Sequence, residues 1–86
     1  MVYTVERAFH VKIPDSLWPR RRDWSAKILK IYVDVGSDVS KGTPLIDIEL
    51  EKAVITIESQ YEGRVLEILV NEGDVVGPGD TVMVIG

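Results

Sequence analysis

Thiols and imidazoles, the side chains most used for attack, proton transfer near neutral pH and metal binding, are almost missing from this chain of 86 residues. Cysteine is absent and His10 is the sole histidine. That excludes disulfides and thiolate metal sites, and one imidazole with scattered carboxylates is a poor zinc ligand set. The residue whose setting suggests chemistry is Lys52, in Glu49-Leu50-Glu51-Lys52-Ala53-Val54. Strand-like runs flank it, and a tight hairpin must close here without the Asn-Gly or Asp-Gly that such turns favour. Nothing near it in sequence would desolvate the amine into a catalytic base. A long side chain ending in an amine, carried on a rigid β support, suits an acceptor for an attached group. A poor local turn on good strands is where a functional constraint is expected.

The strands themselves fix this turn. A two-residue loop at Glu51-Lys52 sets Leu50 against Ala53, Glu49 against Val54, Ile48 against Ile55, Asp47 against Thr56 and Ile46 against Ile57. Ile46, Ile48, Leu50, Ala53, Ile55 and Ile57 then share one side, and Asp47, Glu49, Val54 and Thr56 the other. A slip of one residue would scramble both faces.

The hairpin joins two copies of one unit. Residues 28–49 repeat as 65–86 at a constant offset of 37. Leu29 falls on Leu66, Ile31 on Ile68, Val33 on Val70, Gly36 on Gly73, Val39 on Val76, Gly42 on Gly79 and Ile48 on Ile85. In each copy a strand leads to a glycine turn, a short link, a second glycine turn and another strand. Leu29, Ile31 and Val33 alternate with Lys30, Tyr32 and Asp34, the period of a half-buried strand. Gly36 and Gly73 suit positive φ, and Pro78-Gly79 suits a type II turn. Residues 8–14 and 53–59 supply one further strand before each copy. The expected fold is all-β, a pseudo-two-fold arrangement of about eight short strands in two packed sheets, with essentially no helix.

Composition narrows the function. The length suits a single domain spanning 1–86, too small to hold a deep cleft beside its core. The net charge is −4, with one basic cluster, Arg20, Arg21 and Arg22, between Trp18 and Trp24. A nucleic-acid binder needs a basic face with aromatic platforms, and a single such cluster in an acidic chain argues against that reading. No apolar run approaches the roughly 20 residues of a membrane span, and Glu6 and His10 interrupt any signal-like stretch. The expectation is a cytoplasmic, monomeric domain that contacts neither nucleic acid nor membrane. His10, between Phe9 and Val11, reads as an outward strand residue.

Glu49-x-x-Lys52-Ala53, midway between two copies of V-x-x-G-x-x-V-x-x-G, resembles the biotinyl/lipoyl-attachment domain family. Val11–Ser16 resembles the first strand of lipoyl domains of 2-oxo acid dehydrogenase complexes, and Tyr61–Val76 their second half. The resemblance covers roughly residues 8–86. It implies a flattened eight-stranded barrel-sandwich hybrid, with lipoate joined by an amide to Lys52. It implies a non-catalytic carrier whose swinging arm shuttles acyl groups, or a domain of an acyltransferase. Its partners would be a lipoyl-attaching enzyme, an acyl-loading dehydrogenase and an acyltransferase. Glu49, Glu51 and Ala53 would form the hairpin face that the attaching enzyme reads. Biotin domains usually flank the lysine with Met on both sides, so Glu51 and Ala53 favour lipoyl. A biotinyl carrier and an unmodified adaptor of the same fold are the alternatives.

One segment breaks the symmetry. From Ile57 to Ile68 is 11 residues, whereas from Ile13 to Ile31 is 18, so the first half holds about seven extra. They fall within Asp15–Ser25, which the two-fold relation places at the lysine end. Trp18, Arg20, Arg21, Arg22 and Trp24 are therefore candidates for partner recognition.

Overall fold

The computed structural model describes residues 8–14 and 25–86. The strands are β1 (Phe9–Lys12), β2 (Ala26–Ile31), β3 (Asp38–Val39), β4 (Pro44–Leu50), β5 (Ala53–Glu58), β6 (Gly63–Ile68), β7 (Val75–Val76) and β8 (Thr81–Ile85). No helix occurs among the described residues. The strands form two four-stranded sheets, ordered β1-β8-β6-β3 and β5-β4-β2-β7. All pairings are antiparallel. Exchanging β1 with β5, β2 with β6, β3 with β7 and β4 with β8 turns one order into the other. The sequence repeat is thus a structural two-fold.

Hydrogen bonds between the two halves of the chain obey the same relation. Gly36 N donates to Val65 O at 2.8 Å, and Gly73 N to Ile28 O at 2.8 Å. Each half therefore threads its first glycine turn onto the strand of the other, so each sheet draws strands from both halves. Gly36 and Gly73 both have φ of 94°, a conformation that an L side chain rarely adopts. Gly79 in the Pro78-Gly79 turn has φ of 82°, as a type II turn requires.

Apolar residues from both inner faces make one core. Ile28, Leu45, Ile46, Ile48, Val82, Met83 and Ile85 are essentially inaccessible to solvent. Two bulges, each present in both halves, alter the expected alternation. The β4–β5 and β1–β8 ladders shift at Leu45 and Val82, which are 37 residues apart, so Leu45-Ile46 and Val82-Met83 are adjacent yet buried. The β2–β4 and β6–β8 ladders shift at Leu29 and Leu66, also 37 apart. There the expectation of an inward Leu29 fails. The bulge hands the buried position to Ile28 at 0% exposure and turns Leu29 outward at 37%. Ile31 and Val33 remain packed against the core.

The ladders also correct the size of the asymmetry. Ile46 pairs with Ile57, and Met83, 37 residues later, pairs with Val11. The mate of Ile57 is therefore Val11, not Ile13. From Val11 to Ile31 is 20 residues against 11 from Ile57 to Ile68, an excess of nine rather than seven. The slip arose because a strand repeats its facing every two residues, so matching Ile13 to Ile57 kept every side chain on its proper face.

Candidate functional site

The β4–β5 ladder runs Ile46↔Ile57, Asp47↔Thr56, Ile48↔Ile55, Glu49↔Val54 and Leu50↔Ala53, the register read from the sequence. Glu51 and Lys52 form the turn, and both are exposed. Ile46, Ile48 and Leu50 are buried beneath the hairpin, with Ile55 and Ile57 partly so. Ala53 shares their side but is exposed, at the start of the edge strand β5. Glu49 is exposed on the outer side, and Val54 beside it is 59% exposed.

Glu51 is the one non-glycine residue with positive φ among the described residues, at 58°. A positive φ at the first central position alone is the pattern of a type II′ turn, where glycine is usual. A side chain held there costs roughly 1–2 kcal/mol. The strands enforce this turn against its own preference, immediately before Lys52. Glu51→Gly relieves that cost, partly offset by the larger chain entropy of glycine. The expected result is a gain of up to about 1 kcal/mol in urea denaturation. No gain would mean that the turn carries no strain.

Behind the tip, on the outer face, lies a polar cluster that the sequence reading did not foresee. Tyr32 donates its hydroxyl to Asp47 Oδ2 at 2.5 Å. Thr56 donates to Asp47 Oδ1 at 2.6 Å. Lys30 Nζ sits 4.7 Å from the centre of the Tyr32 ring, a cation–π distance. The hydrogen bonds from Thr56 and Tyr32 hold the Asp47 carboxyl below its ordinary 3.8. The same bond to Asp47 raises the Tyr32 phenol above 10.0. The Asp47 contribution to stability is thus present at neutral pH and lost as pH falls through its lowered pKa. That of Tyr32 persists below 10 and is lost as pH rises through its raised pKa. The Asp47–Thr56 pairing was legible in the ladder; the diagonal reach of Tyr32 from the end of β2 to Asp47 on β4 was not.

The two ends of the extra segment both lie at the lysine end. β1 starts at the far end, where Phe9 stacks on Tyr61 with ring centres 3.8 Å apart, and leads to Ile13, which bonds Gly79 and Asp80 just beyond β7, the strand that pairs with Ala26 and Lys27. The chain resumes at Ser25, and Lys27 pairs with Glu49, which brings Ser25 level with the turn. Trp18, Arg20, Arg21, Arg22 and Trp24 fall outside the described residues. His10 is exposed, as expected. Among the described residues no group of His, Asp or Glu could hold a metal, and no helix is long and apolar enough to cross a membrane. A concavity of about 700 Å³ lies at the opposite pole by Asp38, Arg64 and Gly86 and does not include Lys52. The candidate site is a projection, not a pocket.

A two-sheet β-domain with internal two-fold symmetry and a lysine at a protruding two-residue turn is the architecture of a carrier of covalently attached groups. Residues 23–85 match the biotin/lipoyl-attachment family, described as "Biotin-requiring enzyme", and the chain belongs to that family. It is 41% identical over 54 residues to the biotin carboxyl carrier protein of acetyl-CoA carboxylase from Pyropia yezoensis, covering 63% of this chain and 34% of that protein. It is 33% identical over 76 residues to the dihydrolipoyllysine-residue succinyltransferase component of the 2-oxoglutarate dehydrogenase complex of Staphylococcus saprophyticus, covering 88% of this chain and 17% of that one. The chain thus spans about a third or less of these curated relatives. Among solved structures, the Kluyveromyces lactis urea carboxylase aligns with 99% of this chain and 7% of its own at TM-score 0.76 and 26% identity. The lipoyl domain of the 2-oxoglutarate dehydrogenase complex from Azotobacter vinelandii aligns with 90% of this chain and 94% of its own at TM-score 0.73 and 23% identity. Members of the family bear lipoate or biotin on a lysine and act as non-catalytic carriers.

Proposed function

We propose that this chain is a lipoyl carrier domain with Lys52 as its attachment site, serving enzymes that load and unload acyl groups. The observation that carries this is the placement of Lys52 at an exposed two-residue turn between Glu51 and Ala53. The residues fit the group: the amine is exposed, and among the described residues it has no ion-pair partner. In attachment, Lys52 Nζ loses a proton and forms an amide with a carboxyl carbon activated by a nucleoside triphosphate, and the activating group departs. A lipoyl group, once bound, supplies a disulfide that can be reduced and acylated, chemistry that this cysteine-free chain lacks. The protein contributes a stiff support, with β4 anchored in the core and the turn held clear of it. Intact mass spectrometry of the protein from its native organism tests the proposal. A lipoyl increment on Lys52 is expected, and an unmodified chain would reduce it to an adaptor.

Biotin is the second reading, favoured by the higher identity to the carboxyl carrier protein. The dehydrogenase relatives match a larger share of the chain. Glu51→Met with Ala53→Met is expected to convert the turn into a much better substrate for a biotin-attaching enzyme. A biotin-incorporation assay that finds the wild type as fast as the double variant would transfer the assignment to biotin. We assign residues 16–24 to recognition of the acyl-loading partner, because the residues that flank this segment lie at the hairpin end of the domain. The domain is read as cytoplasmic and monomeric, in keeping with its acidic composition.

A further inference from the structure

The two-fold provides an internal control for the polar cluster on the outer face. In one sheet, adjacent strands align Thr56, Asp47 and Lys30 in a single row. The mate row in the other sheet aligns His10, Val84 and Glu67. The mate of Tyr32, 37 residues on, is Leu69. The same backbone ladder is therefore built once around a carboxylate bonded to two hydroxyls and once around a valine only 7% exposed. The fold does not require the carboxylate. It stands in the sheet whose edge hairpin bears Lys52, and it ties together three consecutive segments of that sheet. Thr56 belongs to the edge strand β5, Asp47 to β4, and Tyr32 directly follows β2. Among the described residues β5 is hydrogen-bonded to a strand on one side alone, so side-chain ties add to what holds it.

From this asymmetry we infer that Asp47, clasped by Tyr32 and Thr56, is a positioning residue for the modification of Lys52: it fixes edge strand β5 so that the turn presents the amine in one orientation. The inference rests on the proposed role of Lys52. It concerns how the attaching enzyme meets the domain, since a looser hairpin must be ordered on binding, at a cost in affinity.

The test uses the full chain as wild type, Asp47→Val, Asp47→Asn and Tyr32→Phe. Asp47→Val reproduces the mate row and should fold. Two readouts are needed: amide hydrogen exchange at Ala53–Ile57, and steady-state attachment by a lipoate-attaching ligase with lipoate and ATP. In Asp47→Val, exchange along β5 should accelerate several-fold. The KM for the domain should rise about tenfold, equivalent to ~1.4 kcal/mol, with little change in kcat. Asp47→Asn, which keeps an acceptor, should recover part of the KM. Tyr32→Phe removes one hydroxyl from an exposed position and should show a smaller shift in the same direction, and it decides the matter if Asp47→Val does not fold. Unchanged KM in a folded Asp47→Val, whether or not exchange accelerates, overturns the inference and leaves the Lys52 assignment standing. A wild type that neither a lipoate- nor a biotin-attaching ligase modifies overturns both.

Discussion

Lys52→Arg is expected to abolish attachment completely while leaving the fold intact. The guanidinium stays protonated and cannot supply the neutral amine that forms the amide. An exposed turn position away from the core should change stability by no more than about 0.5 kcal/mol. The other described lysines differ in placement: Lys12 in β1, Lys27 and Lys30 in β2, and Lys41 in the turn before β4. None of these stands at the tip of a protruding ribbon. Intact mass and peptide mapping after incubation with the attaching enzyme check the result. Modification persisting in the arginine variant would remove Lys52 as the site.

Ile48→Ala should have the largest effect on stability. Ile48 is fully buried and lies in the β4 ladder between Ile28 and Ile55. Truncating such a residue costs about 2–5 kcal/mol, through lost burial and the cavity left behind. Domains of this size hold only on the order of 4–13 kcal/mol in total. Each kcal/mol should lower the melting midpoint by roughly 4–8 °C, so a fall of about 10 °C or more is expected in a thermal melt. Ile48 lies four residues from Lys52 on the strand that carries the turn, so attachment should decline near the midpoint in step with unfolding. A loss below about 1 kcal/mol would contradict the packing described for the hairpin.

The hairpin was readable because Ile46, Ile48 and Leu50 alternate strictly with polar residues, and any odd slip would expose them. The pseudo-two-fold was readable from the repeat at a constant offset. The bulges were not. At Leu29 three apolar residues lie within Ile28–Ile31, and alternation alone cannot say which faces in. The size of the insertion was misjudged by two residues for the related reason that an even slip leaves a strand pattern unchanged. Positive φ at Glu51 was hidden because glutamate disfavours it; the ladder on both sides imposes that geometry. The Tyr32–Asp47 bond joins residues 15 apart in sequence, diagonally between β2 and β4, and no local pattern records it.

Phe9, Tyr61, Gly63 and Gly86 gather at the pole opposite the turn, where Gly86 N bonds Arg64 O at 2.9 Å. Any neighbouring chain joined there would hold the domain by its foot. β4 has seven residues, and at about 3.4 Å for each step it spans roughly 20 Å from that pole towards Leu50. A tethered domain would therefore work as a spacer in its own right. Pivoting about the foot, it would widen the sphere swept by a group on Lys52 by about its own length. Two enzymes too far apart for the side chain alone could then be visited in turn.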